Sequence, residues 1–380
     1  MAGRVLFVTG EYPPLRGGVG DYTQRLAQEL VARGWAVEIA TRQLPIQPSD
    51  GLPVRWQLTS WGRPLWQMLR ELRRSGWRGI LHLQYQAGAF DLQGRVALLP
   101  LLARPLPVVT TFHDTRVPYL FPKAGPLRQL ALRLLARTSA AVVVTNAEDE
   151  RELLGWGVLP QRLVRIPIGS NLPHPRDPAG ARARVGLKPD QPVVAFFGFR
   201  SAEKGLATLV QALALCPEPR PTLLLLGGEQ PDVPGAASEL AVPSTPAPLP
   251  VLDLGYRPAQ EVADLLAAAD LVVLPFRRGA SLRHGTLIAA LSCGAAVVTT
   301  TPAEPALLAP LKASEHLHLV PPEDPQALAR ALTELLGSPQ ERARLRSGAR
   351  AIAPCFAWER IVAAHLECYE AVLLRASLAD

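Results

Sequence analysis

Short apolar runs alternate with amphipathic segments along the first half of the chain. The runs are rich in Val, Ile and Leu with little polar alternation, which is typical of parallel strands that are covered on both faces. The predicted strands are residues 5–9, 37–41, 54–58, 80–84, 108–112, 141–145 and 164–168. A helix is predicted for residues 21–33, where Asp21 is suited to cap the first turn and Gly34 to end the helix. Its predicted apolar stripe consists of Tyr22, Leu26, Leu30 and Val31.

The same alternation restarts in the second half of the chain. There the predicted strands are residues 193–197, 223–226, 251–254, 271–274, 296–300 and 317–320. Residues 169–178, between the two sets, are rich in proline and polar residues, so we place an interdomain linker there. The sequence therefore predicts an α/β protein of two Rossmann-like domains, residues 1–168 and 179–355, that face each other across a cleft. Residues 231–250 contain six prolines and are predicted to be an exposed loop.

The composition is that of a protein with two buried cores. The chain has 380 residues, of which 48% are hydrophobic, and no uncharged apolar stretch approaches the roughly 20 residues of a membrane span. Its apolar start is too short for a signal peptide, so we expect a cytoplasmic protein. The cysteines form no CxxC pair, and we expect reduced thiols. The net charge of +7 argues against nucleic acid and suits phosphate-bearing ligands or an anionic membrane surface.

Glycines cluster where the first predicted strand gives way to a helix. Gly17 and Gly18, followed by Val19 and Gly20, let the backbone approach a ligand. The helix N-terminus that follows favours a phosphate or the hydroxyls of a sugar. This run is not the GxGxxG fingerprint, and a purely structural tight turn is the alternative interpretation.

Two cations bracket the corresponding turn of the second domain. Arg200 and Lys204 follow the predicted strand at residues 193–197. The planar fork of an arginine and the point charge of a lysine can together clamp a diphosphate. Only four residues of the chain are lysines, which argues against chance placement of Lys204. Two solvated surface cations are the alternative.

A third polar turn precedes an apolar helix of the second domain. Backbone N–H groups of Gly285, Thr286 and Leu287 are expected to be free at the start of this helix, where they suit an anion. Arg283 and His284 lie immediately before them. The alternative is an ordinary buried helix with a polar entry turn.

His113 and Asp114 end the predicted strand at residues 108–112, so we expect them to face the cleft. A neutral histidine there can bond a sugar hydroxyl or a phosphate, and this pair is our candidate for the catalytic residues. A structural histidine is the alternative. The acidic run at residues 148–150 opens a helix, and we interpret it as a solvated first turn instead of a metal site.

Residues 61–77 combine leucines and tryptophans with Arg63, Arg70, Arg73 and Arg74. One interpretation is a basic amphipathic helix that lies on anionic lipid, which would place the protein peripherally at the inner face of the membrane. The other is a helix that covers the sheet and turns an arginine-rich face to water.

Taken together, these motifs resemble the group-1 glycosyltransferases, family GT4, of the GT-B fold. The resemblance covers nearly the whole chain and is carried by the glycine loop and by residues 80–85, 111–114, 200–205, 270–275, 290–294 and 356–360. It implies that residues 1–168 form the acceptor-side domain and residues 179–355 the nucleotide-sugar donor domain. It also implies that the last helix, at about residues 356–380, packs back on the first domain.

One departure from the family concerns the donor loop, which usually carries two glutamates separated by seven residues. Those positions hold Ser281 and Ala289 here, while Arg283 and His284 stand beside the same loop. The local field changes from negative to positive, so we expect an anion site in this loop. Arg283 is expected to contact the donor diphosphate or a charged group of the sugar or acceptor.

The resemblance implies a hexosyl-type glycosyltransferase that is retaining and needs no metal and no cofactor. Its substrates would be a nucleotide-diphosphate sugar and a sugar or lipid-linked acceptor, as in cell-envelope glycan synthesis. The sequence contains no DxD motif. Two alternatives stay open: a non-catalytic binding partner with a degenerate donor site, which the missing glutamates favour, and a nucleotide-sugar epimerase, for which no set of acid/base carboxylates is evident.

Overall fold

The structure, a computed structural model, describes residues 3–15, 17–48, 51–115, 125–228 and 249–378. The chain divides into two compact units, Met1–Ile168 together with Trp358–Asp380, and Gly169–Ala357. Each unit contains one parallel sheet with helices packed on it. The predicted loop at residues 231–250 lies outside the described residues except for its last two.

In the first unit, strands and helices alternate. The strands are β1 (Arg4–Thr9), β2 (Ala36–Arg42), β3 (Val54–Leu58), β4 (Ile80–Tyr85), β5 (Val108–Phe112), β6 (Ala141–Val144) and β7 (Leu163–Arg165). The helices are α1 (Gly18–Ala32), α2 (Arg63–Arg74), α3 (Leu99–Leu102), α4 (Gly125–Thr138) and α5 (Ala147–Gly155). Short 3₁₀ turns occur at Gly94–Leu98 and Pro160–Arg162.

The seven strands of the first unit form one parallel sheet in the order β3-β2-β1-β4-β5-β6-β7. The central strands β4 and β5 are buried at every residue. This burial on both faces explains why their sequences show no polar alternation. The strand order reverses between β1 and β4, and ligands of such sheets bind beyond the carboxyl ends of the strands at this reversal.

The second unit repeats the plan. Its strands are β8 (Val193–Phe197), β9 (Thr222–Leu226), β10 (Val251–Gly255), β11 (Leu271–Leu274), β12 (Val297–Thr300) and β13 (His318–Val320). Its helices are α6 (Pro178–Arg184), α7 (Leu206–Leu215), α8 (Ala259–Ala268), α9 (Gly285–Ser292), α10 (Pro325–Gly337) and α11 (Pro339–Ile352). The strand order is β10-β9-β8-β11-β12-β13, again all parallel, and it reverses between β8 and β11.

The predicted fold class is confirmed, since both sets of apolar runs form parallel sheets. The first helix differs from its prediction in detail. It begins at Gly18, so Asp21 lies inside the first turn and makes no capping hydrogen bond. Of the predicted stripe, Val31 is 45% exposed while the other three residues are buried. Gly34 follows the helix with φ +82°, the left-handed geometry that commonly ends helices.

The last helix, α12 (Trp358–Ser377), belongs to the first unit. Its inner face packs into the same buried cluster as α1 and β1, and the ring of Tyr369 lies 5.2 Å from that of Trp35. His365 and Tyr369 are both fully buried. This helix therefore completes one face of the seven-stranded sheet although it is remote from that sheet in sequence.

The helix α2 covers the sheet. Its apolar residues Leu65, Met68, Leu69 and Leu72 are buried in the core of the first unit. Only Trp66 among its large apolar side chains is exposed, at 44%, beneath Arg70. The interpretation of residues 61–77 as a helix that lays its apolar stripe on lipid is therefore wrong, because that stripe is already used in the core. No described helix combines the length and apolarity that crossing a bilayer requires.

The four cysteines are free thiols. Burial raises the pKa of Cys293 to about 12 and that of Cys368 to about 11, and both thiols therefore stay protonated at neutral pH. Cys216 is also buried, and Cys355 is partly buried. Protonated buried thiols react slowly, as expected of packing residues.

The core of the second unit provides a stability test within one helix. Leu209 of α7 is fully buried, whereas Leu215 of the same helix is 56% exposed. We expect Leu209→Ala to lower the free energy of unfolding by about 2–5 kcal/mol, because it leaves a cavity. Leu215→Ala is the matched control and should change it by less than about 0.5 kcal/mol. Urea denaturation followed by circular dichroism measures both, and equal losses would contradict the packing of α7.

Candidate functional site

The backbone is tightly packed at the strand reversal of the second sheet. A Cβ atom on Gly227, after β9, would lie 2.4 Å from the Gly198 carbonyl oxygen. One on Gly198, after β8, would lie 3.0 Å from Cγ2 of Thr286. These two turns leave no room for side chains, so the chain after β8 passes close to the start of α9.

Gly205 allows the turn that precedes it to pack closely against the end of β11. Its φ is +70°, and a Cβ there would lie 1.9 Å from the Pro275 carbonyl oxygen. Glycine is the residue that accepts both the left-handed geometry and this close approach. The preceding 3₁₀ turn, Ala202–Lys204, is thereby held against the end of β11.

Lys204 is a cation held inside this turn. Its Nζ donates a hydrogen bond to Thr286 Oγ1 at 3.2 Å and lies 4.9 Å from the centre of the Phe276 ring. Burial lowers the pKa of Lys204 to about 8, because the loss of solvent destabilises the charged ammonium more than the neutral amine. Because Thr286 is the second residue of α9, the ammonium lies at the N-terminus of this helix, which also carries positive partial charge.

The start of α9 offers fewer free amides than the sequence predicts. Gly285 and Thr286 are its first two residues, whose N–H groups have no acceptor within a helix. The N–H of Leu287, in contrast, donates to the His284 carbonyl oxygen at 2.9 Å. Leu287 is also fully buried, so its assignment as a ligand-binding amide is corrected.

His284 is a structural member of this loop. Its ring stacks on Phe276 with 3.7 Å between the ring centres. Its Nδ1 accepts a hydrogen bond from the Ser281 backbone N–H at 3.2 Å. A nitrogen that accepts carries no proton, so His284 sits in the loop as the neutral tautomer protonated on Nε2.

The two positions where the family usually has glutamate lie inside the unit. Ser281 is 9% exposed and Ala289 is 4% exposed. The hydroxyl of Ser281 accepts from the Arg283 backbone N–H at 3.4 Å. The Nε and Nη1 atoms of Arg283 are shielded from solvent, so this guanidinium does not project into water.

Arg200 lies at the carboxyl end of β8, as predicted, and forms an ion pair with Asp253 of β10. The side chain of Arg200 is 13% exposed and that of Asp253 is 44% exposed. The same Asp253 carboxylate accepts from the Gly255 N–H at 3.1 Å. A phosphate that recruits Arg200 must therefore compete with Asp253.

The glycine loop of the first unit packs on a carboxylate. A Cβ on Gly17 would lie 1.9 Å from Oε2 of Glu11, whereas one on Gly18 would meet open space. A side chain at position 17 would therefore have to displace the Glu11 carboxylate, whereas one at position 18 would displace nothing. Burial raises the pKa of Glu11, an effect that the nearby Arg42 opposes and Asp21 reinforces.

His113 follows β5 and is partly buried. Its Nε2 lies 2.7 Å from Gln84 Oε1, and its ring meets Tyr22 of α1 edge-on at 5.0 Å between centres. Burial, with a smaller effect from His365, lowers the pKa of His113 to about 3, so its imidazole is neutral at physiological pH. Asp114, the next residue, is partly buried as well.

The segment after His113 is anchored on α5. The hydroxyl of Thr115 donates to Asp149 Oδ1 at 2.5 Å, and Asn146 Nδ2 donates to Asp149 Oδ2 at 2.5 Å. Asp149 is fully buried, so the prediction of a solvated first turn at residues 148–150 is wrong for this residue. Its carboxylate faces inward because it ties the end of β5 to the start of α5.

Within the second unit, the structure brings Arg200, Lys204, Thr286 and the His284 loop to one edge of the sheet. Within the first unit, it brings the glycine loop to Glu11 and His113 to Gln84. Sequence reasoning missed Glu11, Gln84 and Asp253. Gln84 and Asp253 stand as polar residues inside otherwise apolar predicted strands, which was a signal available in the sequence.

Two parallel sheets of seven and six strands with the same order reversal are the architecture of the GT-B class of nucleotide-sugar transferases. Sucrose-phosphate synthase from Thermosynechococcus elongatus is similar with a TM-score of 0.76 and 23% identity, over 98% of this chain and 100% of that one. HepE of Anabaena, solved in complex with UDP-glucose, is similar with a TM-score of 0.72 and 21% identity, over 96% and 99%.

The sequence comparisons specify the family. Residues 17–169 match the glycosyl transferase 4-like domain, and residues 191–338 match the glycosyl transferases group 1. The chain belongs to the group-1 glycosyltransferases, family GT4, and uses a nucleotide-sugar donor. A D-inositol 3-phosphate glycosyltransferase of Xylanimonas cellulosilytica is 29% identical over 394 residues, which is 93% of this chain and 91% of the relative. One from Jonesia denitrificans is 27% identical over 412 residues, 95% and 93% of the two chains.

Proposed function

We propose that this enzyme transfers a hexose from a nucleoside-diphosphate sugar to an acceptor hydroxyl, with retention of configuration and without a metal ion. The observation that carries the proposal is the partly buried Lys204 ammonium, which donates to Thr286 beside the first amides of α9. The ammonium and the helix N-terminus are both positive, and a diphosphate would neutralise both.

The donor diphosphate is held by Lys204, Arg200 and the N–H groups of Gly285 and Thr286. Negative charge builds on the diphosphate as the bond to the sugar breaks. Fixed donors aimed at that charge stabilise the transition state without having to reorganise. Arg200 reaches the diphosphate by exchanging its ion pair with Asp253 for one with phosphate, and its planar fork suits a two-point contact.

His113 and Asp114 are the proposed catalytic residues and lie in the first unit. Gly17 and Gly18 of the same unit are proposed to contact the donor or the acceptor. A neutral His113 can accept a hydrogen bond from a sugar hydroxyl, which a protonated one could not. The retaining course follows the family pattern, in which the departing diphosphate takes up the acceptor proton. The enzyme therefore requires no carboxylate base next to the acceptor.

The donor loop replaces the usual glutamate contacts by other groups. Ser281 can give one hydrogen bond to a sugar hydroxyl, worth about 0.5–1.5 kcal/mol net. Ala289 offers the ribose no hydrogen bond, so discrimination at the ribose is weak. We assign Arg283 to a phosphate of the donor or to an anionic group of the sugar or acceptor.

The acceptor is a sugar or lipid-linked compound whose hydroxyl stands near a phosphate. The relatives named above are D-inositol 3-phosphate glycosyltransferases, and inositol phosphate has this chemistry. The cationic character of the loop at Arg283 supports an anionic substrate. Cell-envelope glycan synthesis is the proposed setting.

We further propose that a face of the first unit contacts anionic lipid. Leu98, Leu101, Leu127 and Leu130 are 40%, 36%, 72% and 63% exposed, on α3, α4 and the adjoining 3₁₀ turn, which pack on one another. Exposed arginines lie on the same 3₁₀ turn and on α4, at Arg95, Arg133 and Arg137, and Arg104 follows α3. Apolar side chains flanked by cations suit the surface of an anionic bilayer.

Removal of the Lys204 charge tests the donor site. A thermal-shift panel of UDP-, GDP- and ADP-glucose first selects the nucleotide, since a hundredfold excess over Kd stabilises by about 2.7 kcal/mol. Lys204→Met should weaken binding of that sugar nucleotide by about ten- to a hundredfold, because a charge-assisted hydrogen bond is lost. Lys312→Met, at a lysine whose side chain is 70% exposed, is the control and should not change calorimetric affinity.

The same titration has a pH dependence with a defined sign. Lys204 has a pKa of about 8 in the free protein, and a bound diphosphate raises it by favouring the ammonium. Affinity should therefore be highest below pH 8 and fall as the pH rises through 8, with proton uptake on binding. Lys204→Met should lose this dependence. Equal affinities for the parent and Lys204→Met would contradict the assignment.

The donor loop is tested by a pair of variants. Arg283→Ala should weaken nucleotide-sugar binding or lower turnover, because an anion contact is removed. Ser281→Glu should lower both the affinity for the nucleotide sugar and the turnover, instead of restoring activity. A carboxylate at this buried position would pair with Arg283 and repel phosphate. Arg278→Ala, at an arginine whose side chain is 77% exposed, is the matched control. A silent Arg283→Ala together with an improved Ser281→Glu would refute the anion site.

Vesicle cosedimentation tests the lipid contact. Binding to phosphatidylserine vesicles should be measurable at low salt and should weaken at high salt, because surface charges are screened. The double variant Leu127→Gln/Leu130→Gln should bind less, and Leu374→Gln, on an equally exposed leucine of α12, should bind like the parent. Loss of binding in Trp66→Gln alone would instead assign the contact to α2.

A further inference from the structure

A chain of hydrogen bonds runs from His113 into the interior of the first unit. His113 Nε2 lies 2.7 Å from Gln84 Oε1, and Gln84 Nε2 lies 3.2 Å from His82 Nε2. His82 Nδ1 lies 2.6 Å from the hydroxyl of Tyr369 on α12. Gln84, His82 and Tyr369 are fully buried. Buried polar groups are costly unless they are all paired, and this chain connects one candidate reacting group to the core.

The proton positions follow from what each atom can do. An amide oxygen only accepts, so His113 Nε2 carries a proton and donates it to Gln84. The amide nitrogen of Gln84 only donates, so His82 Nε2 is unprotonated. The Thr111 hydroxyl, 2.8 Å from the same nitrogen, donates to it as well. The proton of His82 therefore lies on Nδ1 and is donated to the Tyr369 oxygen.

The surroundings keep His113 neutral. The groups that face it are Tyr22 of α1, His365 of α12 and Gln84 of β4. Burial lowers the pKa of His365 to about 4, so this neighbour is neutral too. Burial also raises the pKa of the Tyr22 hydroxyl, which stays protonated. Since Nε2 is committed to Gln84, Nδ1 is the nitrogen that His113 can offer as an acceptor.

We infer that Gln84 is a positioning residue for glycosyl transfer, whose amide holds His113 in the Nε2–H tautomer so that Nδ1 accepts a hydrogen bond from a substrate hydroxyl. The Gln84 amide and His82 fix each other, because an amide nitrogen on the His82 side and an unprotonated His82 Nε2 require one another. Thr111 and Tyr369 hold His82 in turn. The inference rests on the proposed function, in which His113 contacts a substrate.

The tautomer can be measured without any substrate. In a ¹⁵N spectrum of the histidine rings, assigned with a His113→Asn variant, His113 of the parent should show a protonated Nε2 and an unprotonated Nδ1. Gln84→Met, which keeps the volume but not the hydrogen bonds, should give a mixture of both neutral tautomers. Gln129→Met, on an exposed glutamine of α4, is the matched control and should leave the spectrum unchanged.

The kinetic readout uses the release of nucleoside diphosphate from the sugar nucleotide that the thermal-shift panel selects. Gln84→Met should lower the rate by about three- to tenfold, as for the loss of one neutral hydrogen bond. Gln84→Glu keeps an acceptor for Nε2–H but adds a charge that favours the imidazolium, so it raises the pKa of His113. The rate of this variant should fall on acidification at a pH where the parent is unaffected, because a protonated Nδ1 cannot accept.

The outcomes separate the inference from the proposed function. A parent protein with the His113 proton on Nδ1, or a Gln84→Met spectrum identical to that of the parent, overturns the positioning role whatever the rates. A spectrum that changes while the rate and its pH profile do not would overturn the link to the reaction, since His113 would then have no contact with a reacting sugar. Nucleotide binding by Lys204 is independent of both results.

Discussion

A parallel sheet has to be covered on both faces, and this constraint organises each unit. Every strand must be reached by a crossover, so all carboxyl ends lie along one edge of the sheet. The interior of the sheet holds continuous apolar runs, such as Val193–Phe197 and Leu271–Leu274. Backbone amides and charged groups therefore gather in the loops at that edge. The reversal of strand order leaves an opening there, and the glycines at 198, 205 and 227 let the loops approach closely.

In the second unit, two positive groups lie next to each other at this edge. The ammonium of Lys204 and the first turn of α9 are adjacent, and each makes the other less favourable. Burial also lowers the pKa of Lys204 to about 8, because desolvation disfavours the ammonium. An anion placed between the ammonium and the helix terminus would relieve both effects. The donor loop holds Ser281 and Ala289 where the family usually has glutamates, and Arg283 lies beside them. The anionic substrate that we propose would be matched by this loop.

The polar groups around His113 in the first unit differ in kind from those around Lys204 in the second. Around β4 and α12 its buried polar groups are His82, Gln84, Thr111 and Tyr369, which are neutral and pair with one another. The buried carboxylate of Asp149 lies elsewhere, at the start of α5, and is held by Thr115 and Asn146. Neutral hydrogen bonds cost less to bury than an ion pair and fix proton positions through their polarity. At the edge of this sheet the proposed reacting group is the neutral His113, whereas the edge of the other sheet carries the charged Lys204 and Arg200.

The sequence by itself determined the two α/β units, the strands within one or two residues for most of them, and the glycine and cation turns, because local hydrophobic period and turn chemistry specify these features. It did not determine that Asp149 is buried, that the N–H group of Leu287 donates to the His284 carbonyl oxygen, or that the apolar stripe of α2 packs into the core. Those outcomes depend on neighbours in space. Only the tertiary structure could place Tyr369 against His82, 287 residues away, and so complete the series of hydrogen bonds that ends at His113, because these residues meet through packing and not through local sequence.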